Sequence, residues 1–159
     1  MLKIILASKS KVRLDILKNN NISCNPKPSN IDEDEIKVAM QKKGETPENI
    51  SKCLAELKAN KISQKNPNTL VLGADSVIDL NGQLISKPTS REEALDILKK
   101  LNGREHDLIS SVCISKNGLM IWNYTDRAKL EMKNFSNNEL IEYLAKIPDE
   151  LLYAYNVYQ

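Results

Sequence analysis

Histidine occurs once in these 159 residues, at position 106, and that scarcity removes most Ser-His and Cys-His nucleophile arrangements at the outset. A lone histidine is more often structural or superficial than catalytic. Aromatic residues are also few, with one Trp and one Phe, so the core must be built from Ile, Leu and Val. The three cysteines, Cys24, Cys53 and Cys113, are widely spaced and form no C-x-x-C pair. That pattern excludes a disulfide framework and a zinc site, and reads as reduced thiols of a cytoplasmic protein. No apolar run approaches the roughly 20 residues of a membrane helix. The opening MLKIILASKSK falls short of the apolar region of about 7–15 residues in a signal peptide. A net charge of +2 gives no electrostatic case for nucleic-acid binding. Neither G-x-x-x-x-G-K-[ST] nor G-x-G-x-x-G occurs, which removes the P-loop and dinucleotide-fingerprint readings.

What is present is the composition of one globular domain, 41% hydrophobic and 28% charged. Lys3–Ala7 is almost wholly apolar and reads as a buried strand. Ser8 or Ser10 then caps a helix to about Asn20, with Leu14, Ile16 and Leu17 inward. Ile22–Pro28 is a short extended piece. A charged helix covers Asp32–Lys43, with Ile36 and Met40 four apart, and Gly44 ends it. Thr46-Pro47 opens a helix to about Gln64, with Ile50, Leu54, Leu57 and Ile62 as the expected core face.

Strands Thr69–Leu80 and Gln83–Ser86 flank the hairpin signal Asn81-Gly82. Ser90 with Glu93 opens a helix that closes at Asn102-Gly103. Asp107–Ser115 and Leu119–Asn123 flank a second signal, Asn117-Gly118, and Arg127–Met132 alternates as a further strand. Ser136 with Glu139 opens a helix to about Ile147, stopped by Pro148. Helices and hairpins alternate without internal repeats, so the class is α/β or α+β with a mixed sheet.

Four polar clusters bear chemistry, and each has a plain alternative. In ASKSKVR, residues 7–13, two serines and Arg13 stand where a strand gives way to a helix. Free N–H groups, hydroxyls and a guanidinium there make a phosphate cradle, or simply a capped helix with a surface arginine. Asp75 ends an apolar strand and Lys87 follows its hairpin. An acid so placed can hold Mg²⁺ or activate water, and a lysine can neutralise phosphate; both also occur as solvated surface charges. The acids of NIDEDEI, residues 30–36, either serve the helix dipole or hold a metal. Lys58 in LAELKANK, residues 54–61, either reaches a site or runs along the helix to solvent. Together the four fit water attack on a polyphosphate, which a carboxylate or metal can drive without histidine.

In order and spacing these pieces resemble the Maf family of nucleotide pyrophosphatases. Ala7-Ser8-Lys9-Ser10-Lys11-Val12-Arg13 is similar to the family's A-S-x-S-P-x-R opening, and Ile31-Asp32-Glu33 to its V-D-E. Leu54-Ala55-Glu56-Leu57-Lys58-Ala59 resembles L-A-x-x-K-A. Gly73-Ala74-Asp75-Ser76-Val77 followed by Lys87-Pro88 resembles G-A-D-[TSQ]-V with its K-P. Glu92-Glu93-Ala94, Leu98, Leu101, Gly103 and Arg104 resemble E-E-A-x-x-x-L-x-x-L-x-G-R. The match covers nearly the whole chain.

The resemblance implies a mixed, twisted α/β sheet with flanking helices in two lobes around a cleft. It implies hydrolysis of a nucleoside triphosphate to the monophosphate and pyrophosphate, assisted by Mg²⁺ or Mn²⁺, and a homodimer as one assembly. Asp75 would activate water, Glu33 and Asp75 would hold the metal, and Lys87 would offset charge developing on phosphate. Ser8, Ser10, Arg13 and Lys58 would hold the phosphates.

Two departures stand out. Lys11-Val12 replaces Pro and a larger residue that helps choose the base, and Ser76 is at a second position linked to base choice. The family pattern also continues for several dozen residues beyond an A-Y-x-[IL]-[QE]-G segment. Here Ala154-Tyr155-Asn156-Val157 is similar to its start, with Gln159 near the family's glutamine by a one-residue slip; alternatively Tyr158-Gln159 matches a later Y-Q. Either alignment leaves an expectation of missing strands and an exposed sheet edge. A pyrophosphatase is the leading reading. A catalytically weak or inactive nucleotide-binding relative and an unrelated interaction module are the alternatives.

Overall fold

The structure, a computed structural model, describes residues 4–155. Its elements run β1 (Ile4–Leu6), α1 (Lys11–Asn19), β2 (Cys24–Pro26), α2 (Glu33–Lys42), α3 (Pro47–Gln64), β3 (Leu70–Leu80), β4 (Gln83–Ile85), α4 (Arg91–Leu101), β5 (Glu105–Lys116), β6 (Leu119–Glu131), α5 (Asn137–Ala145) and α6 (Asp149–Tyr155). The strands make a six-stranded sheet in the order β2-β1-β3-β5-β6, with β4 paired to β3. It is mixed: β1 is parallel to both β2 and β3, and β3–β4 is antiparallel. The mixed α/β class expected from the sequence is therefore the class observed. Both hairpin turns place Asn and Gly at positive φ, with Asn81 at 52° and Gly82 at 85°, and Asn117 at 54° and Gly118 at 83°. Two-residue turns of the type I′ form need that geometry at both positions.

The chain forms two compact units. Unit 1 holds the residues up to Ser76 together with Ile109–Asp126, and unit 2 holds Val77–Leu108 and the residues from Arg127 onward. In unit 1, Ser10 caps α1 by accepting from Arg13 N at 3.4 Å. Ser8 does something else: its hydroxyl accepts from Ser10 N at 3.1 Å. Leu14 and Leu17 are half-buried, but Ile16 is 55% exposed, against the inward position expected for it. One helical step turns the chain by about 100°, which carries Ile16 off the stripe that Leu14 and Leu17 share.

The same rotation decides α3. Ile50, Ser51, Leu54, Ala55, Lys58, Ala59, Ile62 and Ser63 form its buried stripe, whereas Leu57, expected in the core, is 39% exposed. Small residues on that stripe let β3 come close. A Cβ on Gly73 would collide with the carbonyl oxygen of Ala55 and lie 2.8 Å from Ala59 N. Ile5, Ala7, Ala55, Ala59, Ile62, Val71 and Cys113 make the surrounding core. Gly73→Ala is therefore expected to cost about 3 kcal/mol, the upper end for overpacking against backbone that cannot swing away. Denaturant unfolding reads this directly, and a wild-type midpoint would show that the two elements can part cheaply.

Unit 2 buries Ile78, Leu80, Ile85, Ala94, Ile97, Leu98, Leu101, Leu140, Leu144 and Leu152 in one cluster. Ser136 and Glu139 make the reciprocal capping box expected of them, at 3.3 Å and 2.7 Å. At α4 the box is offset: Ser90 accepts from Glu93 N, but the Glu93 carboxylate takes the N–H and hydroxyl of Thr89, each at 2.7 Å. Two expectations need correction. Arg127–Met132 is not a separate strand, because β6 runs unbroken from Leu119 to Glu131. Pro148 stops α5 but also starts α6, since a residue without an N–H is tolerated in a first helical turn. Arg91 ties this corner together, donating to Leu144 O at 2.8 Å, Ile147 O at 2.7 Å and the Asp149 carboxylate at 2.7 Å.

Candidate active site

Unit 1 gathers its polar residues around one strand position. Val71, Gly73 and Asp75 share one face of β3, because successive side chains of a strand alternate, and that face meets α3. Gly73 takes the closest contact and Asp75, the next residue on that face, meets the polar members of the α3 stripe. Lys58 Nζ lies 2.7 Å from Asp75 Oδ1 and 2.9 Å from Glu33 Oε1, and 3.4 Å from Ala74 O. Lys58 is 5% exposed and Asp75 4%. The solvated reading of Lys58 is thus excluded. Its place on the stripe was legible as an i, i+4 step from Leu54 and again to Ile62.

Glu33 enters from α2, whose first turn is acidic. Asp32 is the N-cap, accepting from Glu35 N at 3.0 Å, so one acid of NIDEDEI serves the helix end and the next reaches Lys58. Arg13 enters from α1. Its Nη1 donates to Ala74 O at 2.9 Å and to Ser8 Oγ at 3.4 Å. The carbonyl of Ala74 therefore has both cations on it, one residue before the acid. Ser8, Ser10, Arg13, Glu33, Lys58 and Asp75 all belong to this unit.

Burial in apolar surroundings pushes the Asp75 carboxyl above its ordinary value of 3.8; the Lys58 ammonium opposes the rise, Glu33 adds to it and Lys37 opposes it. Asp75 Oδ2 is buried and has no hydrogen-bond partner, so this carboxyl keeps one oxygen for something else. Lys37 and Ser51 are residues that sequence reasoning passed over. Lys37 stands one helical turn beyond Glu33. Ser51 is fully buried on α3 and donates to Asp75 O at 3.2 Å; its signal was its seat on the same stripe as Lys58.

Of the remaining expected residues, Val12 is 48% exposed on α1. Ser76 is exposed on the opposite face of β3 from Asp75, its hydroxyl 3.1 Å from that of Ser110. Lys87 is exposed, past β4 in unit 2. Gln159 lies outside the described residues. His106 is buried in unit 2, where it lines an apolar cavity of about 700 Å³ with Leu108, Met132 and Phe135.

Among the described residues no three His, Cys, Asp or Glu side chains cluster as a metal site. Two carboxylates are nevertheless what Mg²⁺ commonly uses, with phosphate oxygens and water completing its shell. The unpartnered Oδ2 of Asp75, with Glu33 close to the same ammonium, fits that donor set. No described helix is long and apolar enough to cross a membrane, and the three cysteines are free thiols.

The acid expected at a strand end stands instead in the middle of β3, because that strand continues unbroken to Leu80; the chain is thus a mixed α/β protein with a buried acid clasped by a helix lysine. The chain belongs to the Maf-like protein family, whose model matches residues 3–154. It is 64% identical over 157 residues to a nucleoside triphosphate pyrophosphatase of Pelagibacter ubique (strain HTCC1062), spanning 99% of this chain and 80% of that protein. It is 32% identical over 157 residues to a 7-methyl-GTP pyrophosphatase of Brucella abortus biovar 1, spanning 99% and 79% respectively. The fold is also like that of a HAM1 protein from Coxiella burnetii, with a TM-score of 0.51 at 19% identity over 82% of this chain and 72% of that one.

Proposed function

We propose that the protein hydrolyses a nucleoside triphosphate to the monophosphate and pyrophosphate, with Asp75 as the base that activates water. The observation that carries this reading is the buried Asp75, with one oxygen held by Lys58 at 2.7 Å and the other unpartnered. Burial raises its proton affinity toward that of a working base, while Lys58 keeps the charged form accessible. The relatives' names support the substrate class.

In this reading water attacks the α-phosphorus, its proton passes to the free carboxylate oxygen of Asp75, and the α–β phosphoanhydride bond breaks to release pyrophosphate. Arg13 and the hydroxyls of Ser8 and Ser10, at the N-terminal end of α1, hold phosphate oxygens. Lys58 and Lys87 offset negative charge as it develops. Glu33 and Asp75 would hold Mg²⁺ or Mn²⁺, which when bound neutralises phosphate charge. Val12 and Ser76 are the residues we assign to base selection; 7-methyl-GTP belongs in the test panel because a relative is named for it.

Two finer elements complete the reading. Free thiols support a reducing, cytoplasmic setting. A homodimer would cover part of β6, last in the sheet order, where Leu119, Ile121, Trp122 and Tyr124 are 49–71% exposed; sedimentation as a monomer at micromolar concentration would remove it.

The test is pyrophosphate release from standard and methylated nucleoside triphosphates with Mg²⁺ or Mn²⁺. Turnover of at least one substrate is expected. A folded protein whose melting temperature rises with nucleotide, yet which releases no pyrophosphate from any of them, would overturn hydrolysis in favour of binding alone.

A further inference from the structure

We infer that Ser51 is a positioning residue for Asp75, holding the main chain of the base from the same helix that holds its side chain; this rests on the reading of Asp75 given above. Helix α3 touches Asp75 at two points. Ser51 Oγ donates to the Asp75 carbonyl at 3.2 Å, and Lys58 Nζ meets the Asp75 carboxylate at 2.7 Å. The two residues are seven apart, about two turns, which returns both to one face of the helix. Helix side chains lean toward the N-terminus, so the long Lys58 side chain reaches back toward the level of Ser51. On the same buried stripe Ala55 and Ala59 are small enough for Gly73 to lie against the helix backbone. The strand position that carries the acid is thus pressed to the helix just before it and gripped from both ends.

Ser51 and Asp75 are both buried, at 0% and 4% exposure, so this bond lies away from bulk solvent. A seat of this kind matters for a base more than for an ordinary residue. Proton transfer needs the accepting oxygen within hydrogen-bond reach of the attacking water, and a shift of about 1 Å can cost about 100-fold in rate. Lys58 alone restrains only the end of the side chain. Ser51 restrains the backbone from which that side chain swings.

The test compares Ser51→Ala with Ser51→Cys, which keeps the buried volume and a weak donor. For Ser51→Ala we expect kcat to fall about 10-fold while KM for the triphosphate stays within about twofold, since the phosphates are held by α1 and not by Ser51. Ser51→Cys should fall between Ser51→Ala and the wild type. A folded Ser51→Ala protein with wild-type kcat overturns the inference, as does a kcat loss accounted for entirely by loss of folded protein. Should the wild type itself release no pyrophosphate, hydrolysis is what fails. Ser51 is then read from a crystal structure of Ser51→Ala: displacement of the Asp75 main chain supports the inference, and an unmoved Asp75 overturns it.

Discussion

Asp75→Asn should fold as the wild type does and release pyrophosphate about 10³-fold more slowly, the middle of the range for losing a general base. The amide keeps the shape of the carboxyl but cannot take the proton from water. Stability is expected to hold or rise. Asp75 is raised in the folded protein above its ordinary 3.8, so its contribution to stability is greatest below that value and is lost as pH rises through the folded value. Above the folded value the buried charge is thus a cost that asparagine removes, while Glu33 at 2.9 Å still partners Lys58. Single-turnover kinetics beside a thermal melt decide it. Retained turnover would assign the base elsewhere, and a large drop in melting temperature would mean the variant reports folding instead of chemistry. In the wild type, the acid limb of kcat should lie above the ordinary carboxylate range for the same reason.

Lys58→Met is the second large effect, and it acts on stability. Methionine keeps the length of the side chain but leaves Asp75 buried without its cation. Breaking a buried pair by deleting one partner costs about 3–5 kcal/mol. The loss should depend on pH. Lys58 holds the Asp75 value down, so its removal lifts that value further. A protonated Asp75 has no charge to strand, so the deficit is small at acid pH, grows between the wild-type folded value and the higher one of the variant, and levels off above it. Urea unfolding of both proteins at several pH values, with chelator present to exclude divalent cations, measures this difference. A deficit that is constant with pH, or absent at neutral pH, would show that Asp75 carries no uncompensated charge when Lys58 is gone.

Both experiments turn on residues whose types and spacing were visible in the chain. Asp75 was legible because an acid directly after the apolar run Leu70–Leu72 and Gly73-Ala74 is unusual on a buried strand. The two Asn-Gly turns marked their hairpins because few residue pairs accept positive φ twice in succession. Glu33, Arg13, Ser8 and Ser10 were placed by motif resemblance, and the fold brings all four into the unit that holds Asp75.

The two misplaced core residues share one cause. Leu57 and Ile16 were assigned inward because they are apolar, yet both project from the exposed sides of their helices. Lys58, a charge, took the buried place one step along. Hydrophobicity ranks residues singly, while a helix buries a direction, and about 100° per residue separates the two. Ser51 escaped notice for the same reason, since a serine on an apolar stripe has no meaning until something stands opposite it.

By itself, the sequence determined the mixed α/β class, most element positions, the family and the inventory of acids and bases, because these depend on local spacing and residue type. Tertiary structure alone decided the electrostatics. It set Lys58 between Glu33 and Asp75, two carboxylates separated by 42 positions in the chain. It also buried Asp75 and left one carboxylate oxygen unpartnered. Desolvation and Coulomb interactions depend on distance through space, and that distance exists only once α3 lies against β3 at Gly73.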